Sequence, residues 1–265
     1  MFETAWIAAL VALFAWWFST GAILLLVRRS DISAPDAHGR SVVLTVPFLA
    51  LGVAALVVSA EAHTVANVYL SFAAVLLIWG WIELAFLAGV VTGPERRPCP
   101  PGLSSGTRFL RAWTTVSHHE LALLIGFFAV VIVTVPAENT IALWSYGLLL
   151  AARISAKLNL FFGVPHINTE FVPRPLAHLK SYFRTGPITA AFPIGVVALC
   201  LTTAWFGAQL AAATSPAETV GFALLTALAG LAALEHWLMV IPLPDAKLWS
   251  WMMPAPTTHH EGTDP

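Results

Sequence analysis

Seven apolar stretches, each about as long as a bilayer is thick, constrain this chain more than any other feature. A helix crossing the hydrocarbon core needs about 20 predominantly apolar residues at a rise of about 1.5 Å each. Segments 4–27, 42–60, 65–92, 114–135, 139–163, 188–211 and 219–241 meet that test. Turn-forming or polar clusters separate them, among them Asp31 to Asp36, Gly93 to Gly106 and Pro173 to Pro187. The weakest boundaries fall at the second and fifth stretches, which Pro47 and Arg153 interrupt. With 10% charged residues and 58% hydrophobic ones, the chain has too little polar surface to coat a water-soluble globule, so its solvent is lipid. The fold class is therefore all-α, a polytopic transmembrane helix bundle of about seven spans. Residues 1–250 read as one transmembrane domain and 251–265 as a disordered cytoplasmic tail.

The first stretch, Thr4 to Val27, is longer than the apolar core of a signal peptide. It lacks a basic leader and a small-residue cleavage site, and its positive charges, Arg28 and Arg29, follow it, which predicts a retained helix. The basic residues give an orientation independently of hydropathy, because Lys and Arg concentrate in cytoplasmic loops. Arg28, Arg29, Arg40, Arg96, Arg97, Arg108, Arg111, Arg174, Lys180 and Arg184 follow spans one, three and five, and Lys247 lies in the tail. Glu3, Glu61 to His63, Glu138 and Glu218 occupy the other side. This partition predicts an N-out, C-in topology. Two segments on the basic side, Thr107 to Trp113 and Pro175 to Arg184, resemble interfacial pieces. In the second, Leu176, Leu179 and Phe183 recur at helical spacing and Pro175 suits a first helical turn.

A net charge of −1 without basic or acidic blocks gives no sign of a nucleic-acid partner, and none is expected. Cys99 and Cys200 lack the spacing of a disulfide framework or a thiolate metal site. No internal repeat, phosphate-binding glycine loop or serine-nucleophile elbow is present, so the sequence alone shows no catalytic arrangement.

Ionisable groups at membrane depth are expensive and normally face the protein interior. Span three carries Glu83, span four His118, His119 and Glu120, span five Arg153, Lys157 and Asn159, and span seven Glu235 and His236. Counting back from the helix ends places Glu83, Glu120, Arg153 and Glu235 within roughly 9 to 15 Å of the cytoplasmic boundary, so they can share one layer. Arg153 and Lys157, four apart, share a face, whereas His118, His119 and Glu120 fan out over about 200° and cannot all point to one centre.

Four chemistries remain open for this layer. Glu83, His119, Glu120, Glu235 and His236 offer the ligand inventory of a carboxylate-bridged di-metal centre, although such sites usually space Glu and His three apart. Three glutamates against Arg153 and Lys157 leave one excess negative charge, which a protonated histidine neutralises in a purely structural network. A neutral imidazole facing an aromatic-rich cavity suits the axial position of a tetrapyrrole magnesium or iron. A proton or ion pathway is the fourth reading. His166, Asn168, Glu170 and His178 follow span five, where a solvated loop is expected, although they could also cap the layer.

The run Arg153-Ile-Ser-Ala-Lys157-Leu-Asn159-Leu-Phe161-Phe-Gly163-Val-Pro165, followed by Lys180-Ser-Tyr182-Phe183, resembles the PuhE family of photosynthetic complex assembly proteins from purple photosynthetic proteobacteria. Similarity extends to Trp79-Gly-Trp81-Ile-Glu83, His118-His119-Glu120 and Glu235-His236-Trp237; the family pattern carries Asn where this chain has His166. The resemblance implies a multi-pass protein of the bacterial inner, or intracytoplasmic, membrane. It further implies a role in assembling reaction-centre or light-harvesting complexes, or in modulating bacteriochlorophyll production, through that pigment or a precursor. Reaction-centre or light-harvesting subunits and pigment-synthesis enzymes are the implied partners. The alternative is a metal-dependent membrane enzyme of tetrapyrrole or carotenoid metabolism.

Overall fold

The structure, a computed structural model, describes residues 3–34, 36–170 and 172–241; the tail expected at 251–265 and Lys247 lie outside them. Eight α-helices and one 3₁₀ helix make up the described residues, and they form no strand. Seven transmembrane spans result, because α2 and α3 together make one. In chain order α1 is Ala5–Asp31, α2 Ala37–Leu44, α3 Val46–Ala60, α4 Val65–Leu87 and α5 Ser105–Thr134. Then come α6 Ile141–Phe162, the 3₁₀ helix Arg174–Tyr182, α7 Ala191–Ala212 and α8 Pro216–Leu238. The chain is a multi-pass membrane protein.

Local chemistry explains the helix ends. Thr64 caps α4 by accepting the Asn67 N–H, and Ser104 caps α5 by accepting the Thr107 N–H. Ser215 and Glu218 form a reciprocal capping box at α8, with Pro216 at the first helical position. Pro47 has no N–H and its ring crowds the preceding turn, which separates α2 from α3 at Thr45. Arg153 does not interrupt α6, because a carboxylate neutralises it.

Several boundaries differ from those read in the sequence, among them α1, which runs on to Asp31, and the second span, which begins at Ala37. α4 stops at Leu87, and Gly89 adopts a φ of 73° that reverses the chain, so residues 88–92 form a turn instead of completing the span. α5 begins at Ser105, absorbing the segment Thr107 to Trp113 that read as a separate interfacial piece. At 30 residues and about 45 Å it exceeds the roughly 30 Å of hydrocarbon, and its first turns stand at the basic end.

α4 and α8 are the most enclosed spans. Core residues of α1, α4, α6, α7 and α8 meet in one cluster around Phe72, Leu224 and Leu228, and a second joins α3, α4, α5 and α6 around Val75, Leu123 and Tyr146. At one end of the bundle Asn139, fully buried, donates to the Ser59 carbonyl at 2.9 Å and the Asn67 carbonyl at 3.1 Å, while its own oxygen accepts from Ile141 N–H at 3.2 Å. The other end carries the basic residues and is tied by the loops. Arg108 donates to the Phe161 and Tyr182 carbonyls at 3.2 and 2.5 Å, Arg28 to the Glu170 carbonyl at 2.6 Å, and the Cys99 N–H to Ser181 Oγ at 2.8 Å.

The segment expected to lie on the headgroups instead packs inward. In a 3₁₀ helix residues three apart share a face, and Leu176, Leu179 and Tyr182 are the buried ones. Leu176 and Leu179 seat on Phe86, and Pro175 presses on Gly89, where a Cβ would come within 2.5 Å of it. This element closes the basic end of the bundle.

Candidate functional site

Closing that end leaves a cavity of about 710 Å³ among α1, α4, α5, α6, α8 and the 164–183 segment. The volume is within the roughly 300–1,000 Å³ typical of ligand sites. Its walls are mainly apolar and aromatic, with Trp16, Trp79, Phe86, Trp113 and Phe161 among them. Five ionisable groups of the proposed layer reach it: Glu83, Glu120, Arg153, Lys157 and Glu235.

Four of these are paired. Arg153 Nη2 donates to Glu83 Oε2 at 2.7 Å, tying α6 to α4. One turn further, Lys157 Nζ donates to Glu120 Oε1, tying α6 to α5. The (i, i+4) spacing that puts both cations on one face of α6 thus lets a single helix hold two neighbours. Phe86 lies beneath, 6.0 Å from the Arg153 guanidinium and 5.5 Å from the Lys157 ammonium. Glu235, on α8, is exposed to the cavity and accepts a hydrogen bond from the Trp16 indole of α1.

The histidines do not join this group. His118 is exposed on the outer face of α5 and does not line the cavity. His119 is fully buried and stacks on Phe86 at 4.1 Å, and neither ring nitrogen makes a hydrogen bond; its Nε2 is 3.7 Å from Glu83 Oε1. His236 is turned toward α6: its Nδ1–H donates to the Ala232 carbonyl at 2.8 Å, which leaves Nε2 to accept the Ser155 hydroxyl at 2.9 Å. Gly195 of α7 makes room there, since a Cβ at that position would come within 2.2 Å of Ser155 Oγ. Asn159 is buried behind the wall, donating to the Ser155 carbonyl at 3.0 Å while its Oδ1 has no partner.

Adjacent residues on a helix diverge by about 100°, so Glu120 and His119, like Glu235 and His236, send one member to the cavity and the other to a helix interface. The five residues considered as metal ligands, Glu83, His119, Glu120, Glu235 and His236, are accordingly not gathered. Among the described residues no three His, Cys, Asp or Glu side chains converge on a point that could hold a metal ion. His118, His119 and His236 are absent from the cavity lining.

Spans and charges could not reveal several residues of the wall. Trp16 and Thr20 come from α1, an otherwise featureless apolar helix, and Phe86 and Trp113 are aromatic residues among many. His166, Ile167 and Asn168, where a solvated loop was expected, line the cavity instead, and the His166 N–H is anchored to the Met239 carbonyl at 3.0 Å. Glu170 is exposed, and His178 faces the loops, where burial followed by the Arg96 charge lowers its pKa. Tyr182 closes the lining with its hydroxyl donating to the Arg97 carbonyl at 3.2 Å, and burial pushes its phenol up.

The backbone at residues 88–95 fixes α5 against α4. The Thr92 carbonyl accepts the His119 N–H at 2.9 Å, and Gly93 lies so close to α5 that a Cβ would come within 2.0 Å of the Thr114 carbonyl oxygen. Glu95, in the same loop, receives Arg111 at 2.9 Å.

The chain is 47% identical over 250 residues to an uncharacterized 30.4 kDa protein in the puhA 5' region of Rhodobacter capsulatus; the alignment covers 94% of this chain and 91% of that protein. No solved structure matches. The family described as "Protein of unknown function (DUF3623)" matches residues 2–260. The seven-span bundle with its charge-paired cavity is therefore a member of the DUF3623 family.

Proposed function

We propose that this protein is a membrane-embedded assembly or regulatory factor for photosynthetic reaction-centre or light-harvesting complexes, and that it holds bacteriochlorophyll or a precursor in the cavity between α1, α4, α5, α6 and α8. The observation that carries this reading is the cavity itself, mainly apolar, aromatic-lined and about 710 Å³ in volume. Its four paired charges need no cation or metal for neutralisation, so the site suits a largely apolar guest with a small polar feature. The setting comes from the relative encoded in the puhA 5' region and from the resemblance to the PuhE family. In the same proposal the membrane is the bacterial inner or intracytoplasmic one. The N-terminus is outside and the C-terminus inside, because the basic end of the bundle then faces the cytoplasm. The guest would enter from the lipid or be handed over by a pigment-synthesis enzyme near the cytoplasmic leaflet.

Purification in mild detergent from pigment-producing cells tests this. The expected result is a bound tetrapyrrole in the absorption spectrum, or a co-purifying complex subunit, together with reduced complex levels in cells carrying Arg153→Ala. Protein that carries neither, with unchanged complex levels in the variant, overturns the proposal. A reporter fused to the C-terminus that is active only outside the cytoplasm should be silent; a signal there reverses the orientation.

A further inference from the structure

The polar groups of the cavity divide into two sets. Glu83, Glu120, Arg153 and Lys157 are engaged with one another on α4, α5 and α6. Among the remaining polar residues of the lining, Glu235 supplies a carboxyl group and His166 an imidazole. Glu235 is exposed there and accepts from Trp16, which leaves most of its carboxylate capacity unused. His166, an exposed residue, lines the same cavity, and its imidazole has no hydrogen-bond or ion-pair partner among the described residues. Both groups are positioned by the end of α8: Glu235 belongs to its last turn, and the His166 N–H is bonded to the Met239 carbonyl one turn later at 3.0 Å.

Carboxyl oxygen and imidazole nitrogen both carry lone pairs that can be donated. A guest whose polar groups are all carbonyls or carboxylates finds the cavity's cations already occupied. One carrying an electrophilic centre finds two donors waiting. A flat apolar ring with a coordinatively unsaturated Mg²⁺ or Zn²⁺ at its middle has that character, and imidazole is a common ligand for both zinc and other tetrapyrrole metals.

We infer that the cavity selects metal-centred over metal-free tetrapyrroles, with His166 as the axial donor and Glu235 as the neighbouring acceptor. This rests on the proposed tetrapyrrole occupant and specifies which member of that class the site takes. His166 is an exposed loop side chain, so its removal leaves the helix packing intact.

The test compares zinc protoporphyrin with metal-free protoporphyrin on purified full-length protein, following the Soret band and tryptophan quenching. Wild type should bind the zinc form about tenfold or more tightly than the metal-free form, a difference of about 1.4 kcal/mol or more. Its Soret band should shift as an axial ligand is acquired. His166→Ala should bind both forms at the metal-free level and lose the shift, with an unchanged melting temperature. Equal wild-type affinity for the two forms, or full zinc preference in His166→Ala, overturns the inference while leaving tetrapyrrole binding standing. A zinc preference lost in Glu235→Gln but kept in His166→Ala overturns the assignment of His166. Binding of neither form overturns the tetrapyrrole occupant as well.

Discussion

Arg153 and Glu83, separated by 70 residues in sequence, meet across α6 and α4 at 2.7 Å. Their side chains are 33% and 11% exposed, so the pair sits partly in the cavity and partly in the helix interface. Removing one partner leaves a charge at membrane depth without compensation, and that cost exceeds the value of the hydrogen bond itself. Arg153→Met is therefore expected to destabilise by about 2 kcal/mol, below the roughly 3–5 kcal/mol of fully buried pairs because Arg153 is only partly buried. Adding Glu83→Gln to Arg153→Met should recover part of the loss. Thermal melting in detergent measures this, and a double variant weaker than the single one would contradict the pairing.

The two buried histidines should respond in opposite ways. His236 uses both ring nitrogens, so His236→Leu strands the Ser155 hydroxyl and is expected to cost about 1–3 kcal/mol. His119 uses neither, and an apolar replacement of similar volume keeps the packing on Phe86. His119→Leu should therefore stay within about 0.5 kcal/mol of wild type or gain stability. Comparing the two melting temperatures decides the matter.

Gly93 and Gly106 make a second contrast. A Cβ on Gly93 would meet the Thr114 carbonyl oxygen at 2.0 Å, and neither backbone can yield without breaking the Thr92 to His119 bond. Gly93→Ala should cost about 3 kcal/mol or more, in the range of severe overpacking. At Gly106, in the first turn of α5, nothing lies within 4 Å, so Gly106→Ala should be neutral or stabilising by up to about 1 kcal/mol. Expression level and melting temperature of the two variants provide the check.

Acid should loosen the 88–104 loop through Glu95. The Arg111 side chain, and next the Arg97 N–H, hold its carboxyl below the ordinary range. A depressed carboxyl contributes stability that is complete above its unfolded pKa of about 4.3 and is lost as pH falls through the lower folded value. The difference in melting temperature between wild type and Glu95→Gln should therefore be constant near neutrality and shrink below about pH 4. A gap that persists unchanged in acid would rule out this ion pair as its source.

The primary structure by itself determined the solvent of the chain and the number of spans, because hydrocarbon imposes a length and a composition that any crossing helix must satisfy. It also singled out Glu83, Glu120, Arg153, Lys157 and Glu235, since charge at membrane depth is costly whatever the fold. Pro47 was legible as a break in the second span because its effect acts within one turn of chain.

Partner choice was decided only by tertiary structure. Whether Arg153 would meet Glu83, Glu120 or Glu235 depends on which helices are neighbours and how each is rotated, and no local spacing encodes either. The same rotation sent His119 behind Phe86 and His236 toward Ser155, while their sequence neighbours Glu120 and Glu235 line the cavity. The cavity is bounded at the basic end by residues of the 3₁₀ helix, and it recruited His166 and Asn168 from a loop whose sequence reads as solvated. Energetic cost at a position is a property of one residue and its depth, and so can be read along the chain. Convergence is a property of several helix orientations at once, and exists only after packing has fixed them.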